Sequence, residues 1–113
     1  MVRVVALIPD LLFSSRVLAD LSGAGHEVQL ASAFDDLADL PVDVDVLVVD
    51  LTDERLQGAD LVKALDGPRT LGFYSHVDTA TRERAEDAGF DLVVPRSRMA
   101  REGAALVSRL AAL

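Results

Sequence analysis

The sequence predicts an α/β domain in which a parallel five-stranded sheet is covered by helices on both faces. Three observations predict it. The run Val46-Leu47-Val48-Val49-Asp50 is unbroken, apolar and rich in β-branched residues, as a strand must be when helices cover both faces of its sheet. Further short apolar runs alternate with segments of helical periodicity, and Gly, Pro and Asp punctuate the joins. Finally, 113 residues, half of them apolar, suit one domain with its own core.

Residues 2–8 read as the first strand, interrupted only by Arg3, and Pro9-Asp10 turns the chain out of the sheet. Phe13, Val17, Leu18 and Leu21 then recur at helical spacing, which predicts an amphipathic helix over residues 11–22 closed by Gly23 and Gly25. Residues 26–31 alternate and form the second strand. Ser32 can cap a short helix through residue 40, with Asp35 in its first turn. A polar connector, residues 41–45, leads into the Asp50 strand. Leu61, Val62 and Leu65 mark the next helix, which Gly67-Pro68 breaks.

Residues 70–75 form the fourth strand. Asp78 or Thr79 can cap a helix whose inner side is mostly alanine, at Ala80, Ala85 and Ala88, while Arg82, Glu83, Arg84, Glu86 and Asp87 keep it solvated. Ala88-Gly89 ends it, residues 91–94 form the fifth strand, and Leu106, Val107, Leu110 and Leu113 give the last helix a core stripe. Phe73, Tyr74 and Phe90 read as core aromatics. Short connections between alternating strands and helices favour the doubly wound, flavodoxin-like strand order 2-1-3-4-5 within a single domain spanning 1–113.

Composition excludes several functions. There is no cysteine, and His26 and His76 are too far apart in sequence for a local ligand motif, so neither a disulfide frame nor structural zinc is expected. The first apolar run is too short for a signal sequence and is stopped by Pro9-Asp10, which suggests a soluble cytoplasmic protein without a membrane role. A net charge of -8 argues against nucleic-acid binding. The charge is uneven: thirteen acids face four bases through Asp66, and six acids face seven bases from Gly67 onward. The carboxyl-terminal part is therefore the less repulsive surface for an acidic partner.

Ligands of open α/β sheets bind outside the carboxyl ends of the strands, where the strand order reverses. In the predicted order the first and third strands are neighbours there, so Asp10 and Asp50 lie side by side, and Ser75 and Arg96 follow the fourth and fifth strands on the same edge.

These segments resemble the receiver domain of the response-regulator family over nearly the whole chain. The resemblance rests on Ile8-Pro9-Asp10 running into Arg16-Val17-Leu18, on Val46-Leu47-Val48-Val49-Asp50, on Ser75 after the fourth strand, and on Ala88-Gly89-Phe90-Asp91 leading to Arg96. It implies that Asp50 holds the phosphoacceptor position, that Asp10, Asp50 and the Thr52 backbone carbonyl surround a magnesium ion, and that Ser75 and a basic residue at Arg96 contact the phosphoryl group. The departures are specific. Pro9 replaces one acid of the metal pair, Arg96-Ser97 stands where Lys-Pro is usual, His76 takes the place of a small residue, and Val93 takes that of the switch aromatic. Arg is a planar fork and Lys a point charge, so the exchange at Arg96 alters the site.

Together these features point to a pseudo-receiver: a stand-alone module of two-component signal transduction, acting through protein-protein contacts rather than as an enzyme, with magnesium bound weakly if at all. The bland alternatives are that Asp10 caps the first helix, that Asp50 is satisfied by nearby backbone, and that Arg98, Arg101 and Arg109 form a solvated face. Arg96 is expected to pair with Asp50 or Asp10, and His76 could gate the edge by titrating near neutrality. The resemblance implies a partner or homodimer face on the helix after the fourth strand, the fifth strand and the last helix. A second reading is a magnesium-dependent response regulator phosphorylated on Asp50 by a histidine kinase. A third is a flavodoxin-like small-ligand binder, against which stands the lack of a Gly-rich phosphate loop: Ser22-Gly23-Ala24-Gly25 lies at the wrong end of its helix.

Overall fold

A computed structural model describes residues 2–32, 43–53 and 67–113 of the chain. Its centre is β3 (Val46–Asp50), buried at every position. It lies between β1 (Arg3–Leu7) and β4 (Arg69–Tyr74), while β2 (Glu27–Ala31) and β5 (Leu92–Pro95) form the edges. All pairings are parallel and the order is β2-β1-β3-β4-β5, the flavodoxin-like order the sequence predicts.

The two-residue alternation of a strand explains why the β3 run has no polar break. Val46 and Val48 join Val4, Ala6, Leu71 and Phe73 on the face covered by α1 (Leu11–Gly23) and α3 (Arg96–Ala111). Leu47 and Val49 join Val5, Leu7 and Tyr74 on the opposite face, where Ala85 of α2 (Thr79–Ala88) and Phe90 pack. With both faces covered, the first four positions are apolar and the only polar residue, Asp50, comes at the strand's end.

Three helices are described. The helices expected over residues 32–40 and at Leu61, Val62 and Leu65 lie outside the described residues, as does Asp35. In α1, Asp10 is the N-cap: its side chain accepts from the Leu12 and Phe13 amides. The helix runs through Gly23, and the left-handed turn falls at Gly25 (φ 89°), one residue beyond the Ala24 cap.

Asp78 caps α2 by accepting from the Thr81 amide, and Gly89 closes it in the left-handed conformation (φ 107°). The inner side of α2 differs from expectation: Thr81 and Ala85 are buried, whereas Ala80 faces solvent. The buried Thr81 hydroxyl is satisfied there, because it and the Thr81 amide both donate to the Asp78 carboxylate. In α3, Met99, Leu106, Val107 and Leu110 supply the core stripe, but Leu113 lies past the helix end and is exposed.

Arg3, the one polar break in β1, is used at the sheet's amino edge. Its guanidinium engages Asp43 and Glu27, and its amide donates to Asp45 (2.9 Å), tying the connector and β2 to the start of β1. A second tie lies at the start of β4. There the Thr70 amide and hydroxyl donate to Asp91 (2.8 and 3.2 Å), and the Asp91 amide donates back to the hydroxyl (3.0 Å).

Candidate functional site

Parallel strands deliver their outgoing chains to one edge of the sheet, and the register fixes which residues meet there. Leu7 is paired with Val49 and Asp50 with Phe73, while Tyr74 is paired with Pro95. Asp50 therefore ends the central strand, with Asp10 leaving β1 on one side and Ser75 leaving β4 on the other. Arg96 follows β5 directly, because α3 begins without a loop.

Asp50 is buried, 2% exposed, and its position on the strand puts it on the Val46 and Val48 face. A charge so placed needs donors. Thr52 supplies two to Oδ1: its amide at 2.8 Å and its hydroxyl. This is an Asx-type turn, in which an acid closing a strand bonds the backbone two residues on.

Asp10 is engaged on both oxygens. Oδ1 accepts from the Leu12 and Phe13 amides at 3.0 and 3.2 Å, and Oδ2 accepts from the Arg96 guanidinium at 3.0 Å. The guanidinium, helped by the Phe13 amide, holds the Asp10 carboxyl below the usual carboxylate range. Of the two acids proposed as partners for Arg96, the structure joins it to Asp10. Arg96 also lies over the Phe13 ring, 4.2 Å from guanidinium carbon to centroid. Phe13 in turn packs on Phe73 at 5.0 Å between centroids with the planes tilted by 56°.

Ser75 is half-buried, and its carbonyl accepts from the Asp78 amide at 2.8 Å in the turn leading to α2. His76 and Val77 are exposed in that turn, and Val93 is half-buried in β5. Sequence reasoning placed Asp10, Asp50, Ser75 and Arg96 on one edge but missed two contributors. Phe13 was legible only as a periodic core residue, although it stands three positions after the cap acid. For Thr52 the resemblance implies a role for the carbonyl, whereas its hydroxyl and amide are what reach Asp50; a Thr two residues after a strand-ending acid is the available signal.

The donor chemistry can be tested against a magnesium ion, which takes oxygen ligands in near-octahedral geometry at about 2.0–2.1 Å. The residues present fit it poorly. Pro9 offers no carboxylate, Asp10 is engaged by two amides and a guanidinium, and Asp50 Oδ1 is engaged by Thr52. Among the described residues no group of three or more His, Cys, Asp or Glu side chains converges.

The fold is that of response-regulator receiver domains. The non-phosphorylated HemR receiver domain from Leptospira biflexa superimposes with a TM-score of 0.82 at 20% identity, over 100% of this chain and 96% of that one. A response regulator receiver domain protein from Clostridium thermocellum gives 0.86 at 14% identity, over 99% and 95%. A response regulator from Thermotoga maritima gives 0.82 at 15% identity, over 100% and 99%. At these identities the shared property is the fold. No protein-family model matches the sequence, and no curated protein matches it. No helix among the described residues is long and apolar enough to cross a membrane.

Proposed function

We propose that the chain is a receiver-like signalling module that acts in the cytoplasm through protein-protein contacts and whose phosphoacceptor site, centred on Asp50, is degenerate. The observation that carries this reading is the engagement of Asp10. The acid that would hold a metal beside Asp50 spends both oxygens on the α1 amides and on Arg96. With Pro9 in place of the other acid, magnesium would have Asp50 and the Thr52 carbonyl as its remaining protein ligands. Binding at such a site is weak. Arg96, turned to Asp10, is also not positioned as a free cation for a phosphoryl group.

Signalling without phosphate must then pass through surfaces. The resemblance favours α2, β5 and α3 as the face for a protein partner or a second copy of the chain. The acid-base balance from Gly67 onward makes that face the less repulsive one for an acidic partner. Leu11, Leu12 and Val77 are also largely exposed and add apolar surface at the rim of the carboxyl edge.

Incubation with magnesium and a small acyl phosphate, followed by intact-mass measurement, tests the reading. The expected result is no phosphoryl adduct. An adduct that disappears in Asp50→Asn would favour the other reading instead, a magnesium-dependent response regulator that takes its phosphoryl group from a histidine kinase.

A further inference from the structure

The Arg96 guanidinium is more constrained than a surface ion pair requires. Its side chain is 39% exposed and that of Asp10 is 42% exposed. It is nevertheless fixed from two directions, by Asp10 Oδ2 at 3.0 Å and by the Phe13 ring at 4.2 Å. Phe13 is itself buried and braced on Phe73, the residue that pairs in register with Asp50. A planar, weakly hydrated cation can use both contacts at once, whereas a lysine ammonium lacks the flat face.

Arg96 is also placed against the helix dipole. It is the first residue of α3, whose first turn holds no acid and whose Pro95 cap makes no side-chain hydrogen bond. A cation at a helix amino terminus is disfavoured unless an anion compensates it. Asp10, at the amino terminus of α1, is that anion, and it links the starts of both helices.

We propose that Arg96 is a resident cation that takes the place of a divalent metal beside Asp10, so that this edge is electrostatically complete without metal and gains metal affinity only when the guanidinium charge is removed. The proposal rests on the degenerate-site reading above and adds the reason for it: the site is filled from within the chain rather than merely short of one ligand. A dication next to Asp10 must either displace Arg96 or sit beside a like charge, and both weaken its binding.

The test is a magnesium titration of the whole chain followed by the Leu12, Phe13 and Thr52 amide resonances, with manganese broadening of the same signals as a second readout. Arg96→Ala removes the cation. Arg96→Met removes the charge while keeping an apolar side chain over Phe13, and so serves if the alanine variant folds poorly. The expected result is that both variants bind magnesium more tightly than the parent by about tenfold or more, the scale of removing one screened charge a few Å from a dication. Adding Asp50→Asn should abolish the gain.

Equal affinity in parent and variants overturns the proposal, as does failure of every variant to bind. The two ideas fail separately. A parent chain that forms no phosphoryl adduct, with no metal gain in the variants, defeats only the resident cation. An adduct on Asp50 of the parent defeats the degenerate-site reading whatever the titration gives.

Discussion

Replacing Gly72 by alanine should destabilise the domain and disturb the Asp50 turn, although Gly72 carries no chemistry. Gly72 lies in the middle of β4, and a Cβ there would stand 2.7 Å from Leu51 Cδ1 and 3.1 Å from two atoms of the Phe90 ring. Carbon atoms in contact prefer about 3.5–4.0 Å, so both neighbours must move, and both are packed. Overpacking of this kind costs roughly 1–3 kcal/mol, against which alanine recovers about 0.4–1 kcal/mol by restricting the unfolded chain. The net loss is about 0–2.6 kcal/mol, centred near 1.3 kcal/mol, or a fall in melting temperature of about 5 °C for a domain of this size.

Leu51 follows Asp50 directly, so its displacement should also shift the Thr52 amide that bonds the carboxylate. Gly103 provides the contrast. A Cβ there meets only the flexible end of Met99, with Cε at 3.0 Å, inside helix α3. Relief of the helix-interior glycine is worth roughly 0.5–1 kcal/mol, so Gly103→Ala should be neutral or stabilising. Urea unfolding of both variants, with the Thr52 amide monitored by NMR, checks the pair. Equal midpoints for the two, or a Gly72→Ala domain as stable as the parent, would refute the packing argument.

Thr70→Val should cost about 1–3 kcal/mol in urea unfolding, because the Asp91 amide and carboxylate lose the buried hydroxyl between them; an unchanged midpoint would show that water replaces it. Acid should also destabilise the domain. Asp10, Asp43 and Asp78 are held below their ordinary value of 3.8 by Arg96, Arg3 and the Thr81 hydroxyl respectively. Depressed folded-state values mean that the unfolded chain takes up protons first as pH falls. The stabilisation is therefore present above the ordinary value and is lost below about pH 4 as the folded-state values are crossed. These groups are exposed, so added salt should weaken the effect. Urea midpoints measured from neutral pH downward should fall in that window, and Asp78→Asn should flatten the slope; a flat profile in the parent would contradict the sign.

The strands were the legible part of the fold, for a physical reason. A strand covered on both faces favours apolar residues except where a polar one finds hydrogen-bond partners, as Asp50 and Thr70 do, so the run Val46 to Val49 reads as a strand, and the doubly wound order follows from short connections between such strands. Amphipathic helices were legible to the extent that their stripes were apolar. In α2 the apolar signal was alanine alone, and Thr81, its hydroxyl satisfied by the Asp78 carboxylate, takes the inner place expected of Ala80. Leu113 continued the α3 periodicity on paper but fell beyond the last turn. At the site, position came from topology and pairing came from shape. The sequence could put Asp10, Asp50, Ser75 and Arg96 on one edge, but could not show that Arg96 turns to Asp10 and lies over the Phe13 ring. No one-dimensional pattern distinguishes a core phenylalanine from a platform for a guanidinium.

The degenerate site is tested most directly by adding magnesium and beryllofluoride to the parent chain and following the Asp50, Leu51 and Thr52 amides by NMR. With Asp10 held by Arg96 and Pro9 offering no carboxylate, those resonances should stay where they are. Saturable shifts in the parent that vanish in Asp50→Asn would mean that the edge still assembles an acceptor site, and the signalling mechanism proposed for this protein would be wrong.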